Sequence, residues 1–262
     1  MKLETRLHVC LAEGRPAFGF VAVLNSPSAV EILAHGAHPD FMAVDMQHGA
    51  IAPADAAHLL RAMQAADPDI TPLARVPTLE KHWIEQSLDA GFVGVVVPLV
   101  ESGEQARALA RMAFYPPRGT RSVASTIRAG LYEDYMNTIG DRLILLPQIE
   151  SREGLEHCEE IAAVPGVTGL LLGPADLSLS CGWSGADLWR QTPFLEAVER
   201  VVAACRSVGK TVSTWIGGAA AARRAQELGV SVVAFAADNV ELRASMVPRL
   251  KRELEDLRNE RS

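Results

Sequence analysis

Lysine is scarce in this chain of 262 residues, which carries it only at Lys2, Lys81, Lys210 and Lys251. An enzyme working through a Schiff base needs a lysine where its substrate binds. Lys210 precedes an apolar β-like run, which places it at the opposite end from the chemistry, so an imine mechanism is disfavoured. Cysteine is also sparse. Cys10, Cys158, Cys181 and Cys205 stand alone with no CxxC spacing, as incidental thiols of a reducing cytoplasm rather than disulfide staples or a zinc site. There is no GxSxG, Walker loop or GxGxxG. The longest apolar run, Phe92 to Val100, is too short for a bilayer, and the opening MKLETRLHVCLAEGRP lacks a signal-peptide core. A formal charge of −7 argues against nucleic acid or an anionic membrane as partner. What remains, with 48% hydrophobic and 22% charged residues, is an ordinary globule, expected in the cytoplasm and acting on small molecules.

Short β-like runs alternate with segments of helical periodicity throughout. The strands are expected at Phe18–Leu24, Phe41–Asp45, Thr71–Val76, Val93–Val97, Leu143–Ile149, Thr168–Leu172, Thr211–Trp215 and Val232–Phe235. The intervening helices are expected at Ser28–His35, Ala54–Ala65, Lys81–Ala90, Gly103–Met112, Arg152–Ala163, Phe194–Ser207, Ala219–Leu228 and Glu241–Leu257. Eight strands each followed by a helix is the count of a closed (β/α)8 barrel; an open doubly wound sheet is the alternative. No linker or compositional shift divides the chain, so one domain over 1–262 is expected. The rhythm breaks at Tyr115 to Asn137, where YPPRGTRS and Thr126–Asn137 read as a loop and a short extra helix.

In such a barrel the chemistry gathers at the C-terminal strand ends. The second strand ends Asp45-Met-Gln47-His48, the third on Arg75, the fifth Gln148-Ile-Glu150, the sixth Gly173-Pro174-Ala175-Asp176 and the seventh on Trp215. Two carboxylates at neighbouring strand ends repel unless a cation or a proton lies between them, so Glu150 and Asp176 are candidate ligands of a divalent metal. The plainer alternatives are that Asp176 caps the following helix and that Glu150 pairs with Arg152 or another arginine. His48 could be a base, a ligand or a core histidine. Arg75 suits a polarised oxygen or a structural ion pair with Asp45, and Asp89, late in a helix, could be a plain surface acid.

The stretches GFVAVLNSPSAVEILAHGAHPDFMAVDMQHG, ARVP, LDAGFVGVVVPLVES, YPPRGTRS, LPQIES and GPADLSLSCG, in this order, cover nearly the whole chain. In them the chain resembles the HpcH/HpaI aldolases, the class II pyruvate aldolases related to 4-hydroxy-2-oxoheptanedioate aldolase. The resemblance implies a barrel of the pyruvate/phosphoenolpyruvate type and Mg²⁺, Mn²⁺ or Co²⁺ on Glu150 and Asp176. It implies that Gln148 contacts the oxo acid, Arg75 holds its carbonyl oxygen, His48 is the base and Asp89 orients it. Backbone amides at Gly173, Pro174 and Ala175 would receive the carboxylate, with Trp215 also against the substrate. It further implies a hexamer, a trimer of dimers, in which a C-terminal helix near residues 239–260 is exchanged between subunits.

Two departures bear on the aldehyde half of the site. Gln47 stands where better-studied members have a glutamate, and Phe20-Val21 where many have a tryptophan. The implied reaction is reversible cleavage of a 4-hydroxy-2-oxo acid to pyruvate and an aldehyde. Its rivals are oxaloacetate decarboxylation at the same site, a CoA-ester lyase, for which no basic cluster is evident, and a non-catalytic binding protein.

Overall fold

In the computed structural model, which describes residues 3–123, 128, 131, 132, 134–183 and 187–259, eight parallel strands close into one barrel. They are β1 (Ala17–Ala22), β2 (Phe41–Asp45), β3 (Thr71–Arg75), β4 (Gly94–Val97), β5 (Ile144–Ile149), β6 (Gly169–Leu172), β7 (Thr211–Trp215) and β8 (Val232–Ala237), and β8 pairs with β1. The (β/α)8 expectation holds, and the strand starts and ends fall within two residues of those read from the apolar runs.

The helices in chain order are α1 (Arg6–Ala12), α2 (Pro27–Ala37), α3 (Pro53–Ala66), α4 (Lys81–Ala90), α5 (Gly103–Ala113), α6 (Tyr135–Thr138) and α7 (Arg152–Glu156). They continue with α8 (Cys158–Ala163), α9 (Pro174–Cys181), α10 (Thr192–Ser207), α11 (Ala219–Glu227), α12 (Asp238–Glu241) and α13 (Val247–Asn259). The single helix expected over 152–163 is two, because His157 at φ −105°, ψ 11° leaves helical geometry. Helix α1, too short to show a period, went unread. Of the helix expected over Thr126–Asn137, residues 126, 127, 129, 130 and 133 lie outside the described residues; the observed turn of helix is α6, starting later.

Alternation along the strands makes two cores. Residues facing the helices, such as Met42, Val44, Ala74 and Val95, join the outer layer. Residues facing inward, including Phe41, Ala43, Leu73, Val96, Ile144, Leu146 and Leu171, fill the barrel axis with Leu7 and Cys10 of α1. Leu7 and Cys10 bring α1 across the N-terminal mouth, where the Leu7 N–H donates to Thr71 Oγ1 at 2.9 Å. The inward period of two then places Asp45, Arg75, Gln148 and Trp215 in the next layer, at the C-terminal mouth.

Candidate active site at the C-terminal mouth

Asp45 and Arg75 are register partners on β2 and β3. Their side chains face the same interior, and the planar guanidinium meets the carboxylate twice, Nε to Oδ1 at 2.9 Å and Nη2 to Oδ2 at 2.6 Å. The structural pairing weighed for Arg75 is therefore present, and it lies inside the mouth. Asp45 Oδ1 also accepts the backbone N–H groups of Gln47 (3.0 Å) and His48 (3.2 Å), which folds the β2 loop back and holds His48 at the cavity wall. The Arg75 guanidinium lies 4.5 Å from the Trp215 ring centroid. Its Nη1 makes no hydrogen bond among the described residues and is available to a ligand.

Glu150, just past β5, is 3% exposed. Its Oε1 accepts the N–H of Leu99 at 2.8 Å, and its Oε2 accepts Nε2 of Gln148 at 2.5 Å. Leu99 presents that N–H from a left-handed backbone, φ +51°, which a leucine seldom adopts. Burial pushes the Glu150 carboxyl up to about 7; the charge of Asp176 adds to the rise, and the Leu99 N–H and Arg75 oppose it. Arg152 is not its partner: that guanidinium donates to the Cys181 carbonyl. Asp176 is not the cap of α9 either. Gly173 occupies the cap position, and Asp176 falls in the first turn. A side chain at Gly173 would bring its Cβ within 2.8 Å of both Gln148 Nε2 and Glu150 Cβ, so a glycine there is what lets β6 approach the acid pair.

The backbone cradle differs in detail from the one implied over Gly173–Ala175. The Gly173 N–H donates to Ile149 O at 2.9 Å, and Pro174 has none to give. The N–H groups left at the start of α9 are those of Ala175 and Asp176, a setting suited to an anion. Gly173, Pro174, Ala175 and Asp176 border a cavity of about 410 Å³ with Arg75, Gln148 and Trp215. Leu188 and Trp189, from a short 3-10 turn, close its far side; no motif in the sequence pointed to them. A second cavity, about 340 Å³, adjoins it across Arg75, Trp215, Ile216 and Gly217 and is bordered by Asp45 and His48.

Asp89 is not brought to this mouth. It sits in the last turn of α4, which descends to the N-terminal end of β4, and its Oδ1 accepts from Arg121 Nη2 at 2.7 Å. Arg121 is buried between Tyr115 and Tyr135. Within one chain, then, Asp89 anchors the insertion after α5 and does not touch His48.

Over residues 18–244 the chain matches the HpcH/HpaI aldolase/citrate lyase family. It belongs to that family. A hydroxypyruvate/pyruvate aldolase of Paraburkholderia phytofirmans is 35% identical over 235 residues, covering 87% of this chain and 89% of that one. A 4-hydroxy-2-oxo-heptane-1,7-dioate aldolase of Escherichia coli is 34% identical over 246 residues, 90% of each. The crystal structure of an HpcH/HpaI aldolase/citrate lyase family protein from Burkholderia cenocepacia superposes with a TM-score of 0.84 at 34% identity, over 98% of this chain and 99% of that one.

Both departures from the HpcH/HpaI pattern now have a place. Gln47 Oε1 is buried without a hydrogen-bond partner among the described residues. Of Phe20 and Val21, it is Val21 that faces the second cavity; Phe20 points outward and packs edge-on against Phe235 at 5.3 Å. Among the described residues no group of three or more His, Cys, Asp or Glu side chains converges. A metal here has the Glu150–Asp176 pair alone, which suits a hard divalent cation that completes its shell with water and substrate oxygens.

Proposed function

We propose that this chain is a divalent-metal-dependent aldolase that reversibly cleaves a 4-hydroxy-2-oxo acid to pyruvate and an aldehyde. One observation carries the reading: a buried carboxyl raised to about 7 beside a second acid, on the rim that also presents Arg75, Gln148 and His48. The energy spent in gathering Glu150 and Asp176 is recovered if a cation replaces the proton. Glu150 and Asp176 would hold Mg²⁺, Mn²⁺ or Co²⁺, which would supply Lewis acidity to the C2 carbonyl.

The chain's own groups divide the remaining work. The N–H groups of Ala175 and Asp176 receive the carboxylate of the oxo acid, and Gln148 orients it. Arg75, held flat by Asp45 and Trp215, offers Nη1 to the C2 oxygen as that oxygen gains negative charge. His48 removes the C4 hydroxyl proton; the C3–C4 electron pair moves into the pyruvate enolate and the C4 carbonyl forms. Protonation at C3 completes pyruvate.

A homo-oligomer is part of the reading. Helix α13 buries none of its residues, and Val247, Leu250, Leu254 and Leu257 form one exposed apolar row at spacings of three and four. A second copy would cover that row, through the hexamer with exchanged C-terminal helices that the family resemblance implies. Asp89 could reach His48 only from such a neighbour.

The test is pyruvate release from 4-hydroxy-2-oxo acids of several lengths, coupled to lactate dehydrogenase. Release should stop with EDTA, return with Mg²⁺ or Mn²⁺, and be lost in Glu150→Ala and His48→Ala. EDTA-insensitive cleavage retained at wild-type rate in both variants would overturn the reading. Turnover of oxaloacetate in the same assay, with no cleavage of hydroxy-oxo acids, would identify the site as a decarboxylase.

A further inference from the structure

The cavity beside His48 is built from small apolar side chains. We infer that the aldehyde half of the substrate is uncharged and apolar at its distal end, an inference that rests on the aldolase reading. The walls of the cavity are Val21 and Val23 at the end of β1, Ala234, Ala236 and Ala237 of β8, and Val240 in the following turn. The β1–β8 register slips between Gly19 and Phe20, and where it slips β8 contributes adjacent alanines, Ala236 and Ala237, to the wall. Alanine at three wall positions leaves the space open.

The charges point the same way. Among the described residues bordering this cavity the one cation is Arg75, and Asp45 already takes two of its donors. The backbone N–H groups of Val23 and Leu24 could otherwise have received a distal carboxylate. They are both taken by Asp238, with Oδ1 2.9 Å from Val23 N and Oδ2 3.1 Å from Leu24 N. Asp238 is buried behind this wall, next to Asn239, and makes no ion pair among the described residues, so it works against a second carboxylate nearby. A carboxylate entering here would lose water and meet no cation free of a carboxylate partner of its own. An alkyl tail loses nothing. Asn239, also on the border, is uncharged and so does not supply the missing cation.

Butanal and succinic semialdehyde, which share a four-carbon chain and differ by a terminal carboxylate, are the probes. Each is added to pyruvate by the metal-loaded enzyme, and kcat/KM is compared. Exchange of the pyruvate methyl protons into D2O is followed in parallel without aldehyde. The expected result is proton exchange together with a preference for butanal of at least about tenfold. Val240 borders the cavity and is 50% exposed in the single chain; Val240→Arg, checked by circular dichroism and sedimentation for an unchanged fold and assembly, should cut the preference about tenfold by supplying the missing cation. Proton exchange with equal or greater kcat/KM for succinic semialdehyde overturns the inference and leaves the aldolase reading standing. An unchanged preference in Val240→Arg also counts against the inference. Absence of proton exchange overturns the aldolase reading, and the inference falls with it.

Discussion

Glu150 should make the metal-free protein less stable as pH rises, the reverse of an ordinary surface carboxylate. In the unfolded chain this carboxyl titrates near 4.5, and in the folded chain burial holds it at about 7. Between those values the folded state keeps a proton that the unfolded state has released. Stability from this group is therefore greatest below about 4.5, declines through the interval, and is lost above about 7. A displacement of this size corresponds to about 3 kcal/mol, and at 3% exposure little of it is screened by solvent. Glu150→Gln isolates the effect: the charge is gone, the amide oxygen can still accept the Leu99 N–H, and the amide nitrogen can donate to Gln148 Oε1, otherwise unpartnered, once the Gln148 amide turns over. In urea titrations of chelator-treated protein, the variant should match the wild type near pH 5 and exceed it by about 2–3 kcal/mol at pH 8. Saturating Mg²⁺ or Mn²⁺ at pH 8 should restore the wild type by mass action and leave the variant nearly unmoved. If Glu150→Gln is the less stable protein at pH 8 without metal, or if the two proteins share one pH slope, burial does not hold the Glu150 carboxyl up as argued.

Asp45→Ala leaves Arg75 buried with two donors unanswered and frees the Gln47 and His48 amides. Urea unfolding should register a loss of about 3–5 kcal/mol, far more than removal of a surface pair such as Arg118–Asp141. Leu99 holds its left-handed backbone while 54% exposed, so Leu99→Asn gives up little burial; it should gain about 0.5–1 kcal/mol in the same assay while still presenting its N–H to Glu150. If a second copy covers α13 as proposed, placing Glu at both Leu250 and Leu254 should split the assembly, read as a fall in sedimentation coefficient that salt only partly reverses.

Much of the barrel was legible because its strands are buried on both sides and read as unbroken apolar runs closed by Gly, Pro or a charge. Thr211–Trp215 and Phe41–Asp45 are recovered to the residue. The acid pair was legible for the related reason that Glu150 and Asp176 each follow such a run. What escaped is what depends on closure. Nothing local marks Leu99 as the donor to Glu150, because the contact joins the end of β4 to the end of β5. Leu188 and Trp189 reach the cavity from a turn with no motif of its own. Asp89 illustrates the converse: the family resemblance implies that it orients His48, and within one chain the descent of α4 carries it to the opposite end of the barrel and onto Arg121, which leaves a neighbouring copy as its route to His48.

The Asp45–Arg75 pair shows why a structural and a chemical role need not compete at a barrel mouth. Register makes the two residues neighbours, and the period of two turns both side chains inward. Arg75 is 8% exposed, so its guanidinium has lost most of its water and a carboxylate answers it instead. Once Nε and Nη2 are bound and Trp215 lies against the ring plane, the guanidinium can no longer rotate. The guanidinium, with Nη1 unpaired among the described residues, is then held in one orientation on the border of both cavities. The same carboxylate accepts the backbone N–H of His48, so His48 and Arg75 are both positioned by one group. An arginine free to move would lose part of its effect to reorganisation at the moment charge develops on the oxygen. On the proposed reading, the ion pair that fixes Arg75 structurally is also what would ready it for the chemistry.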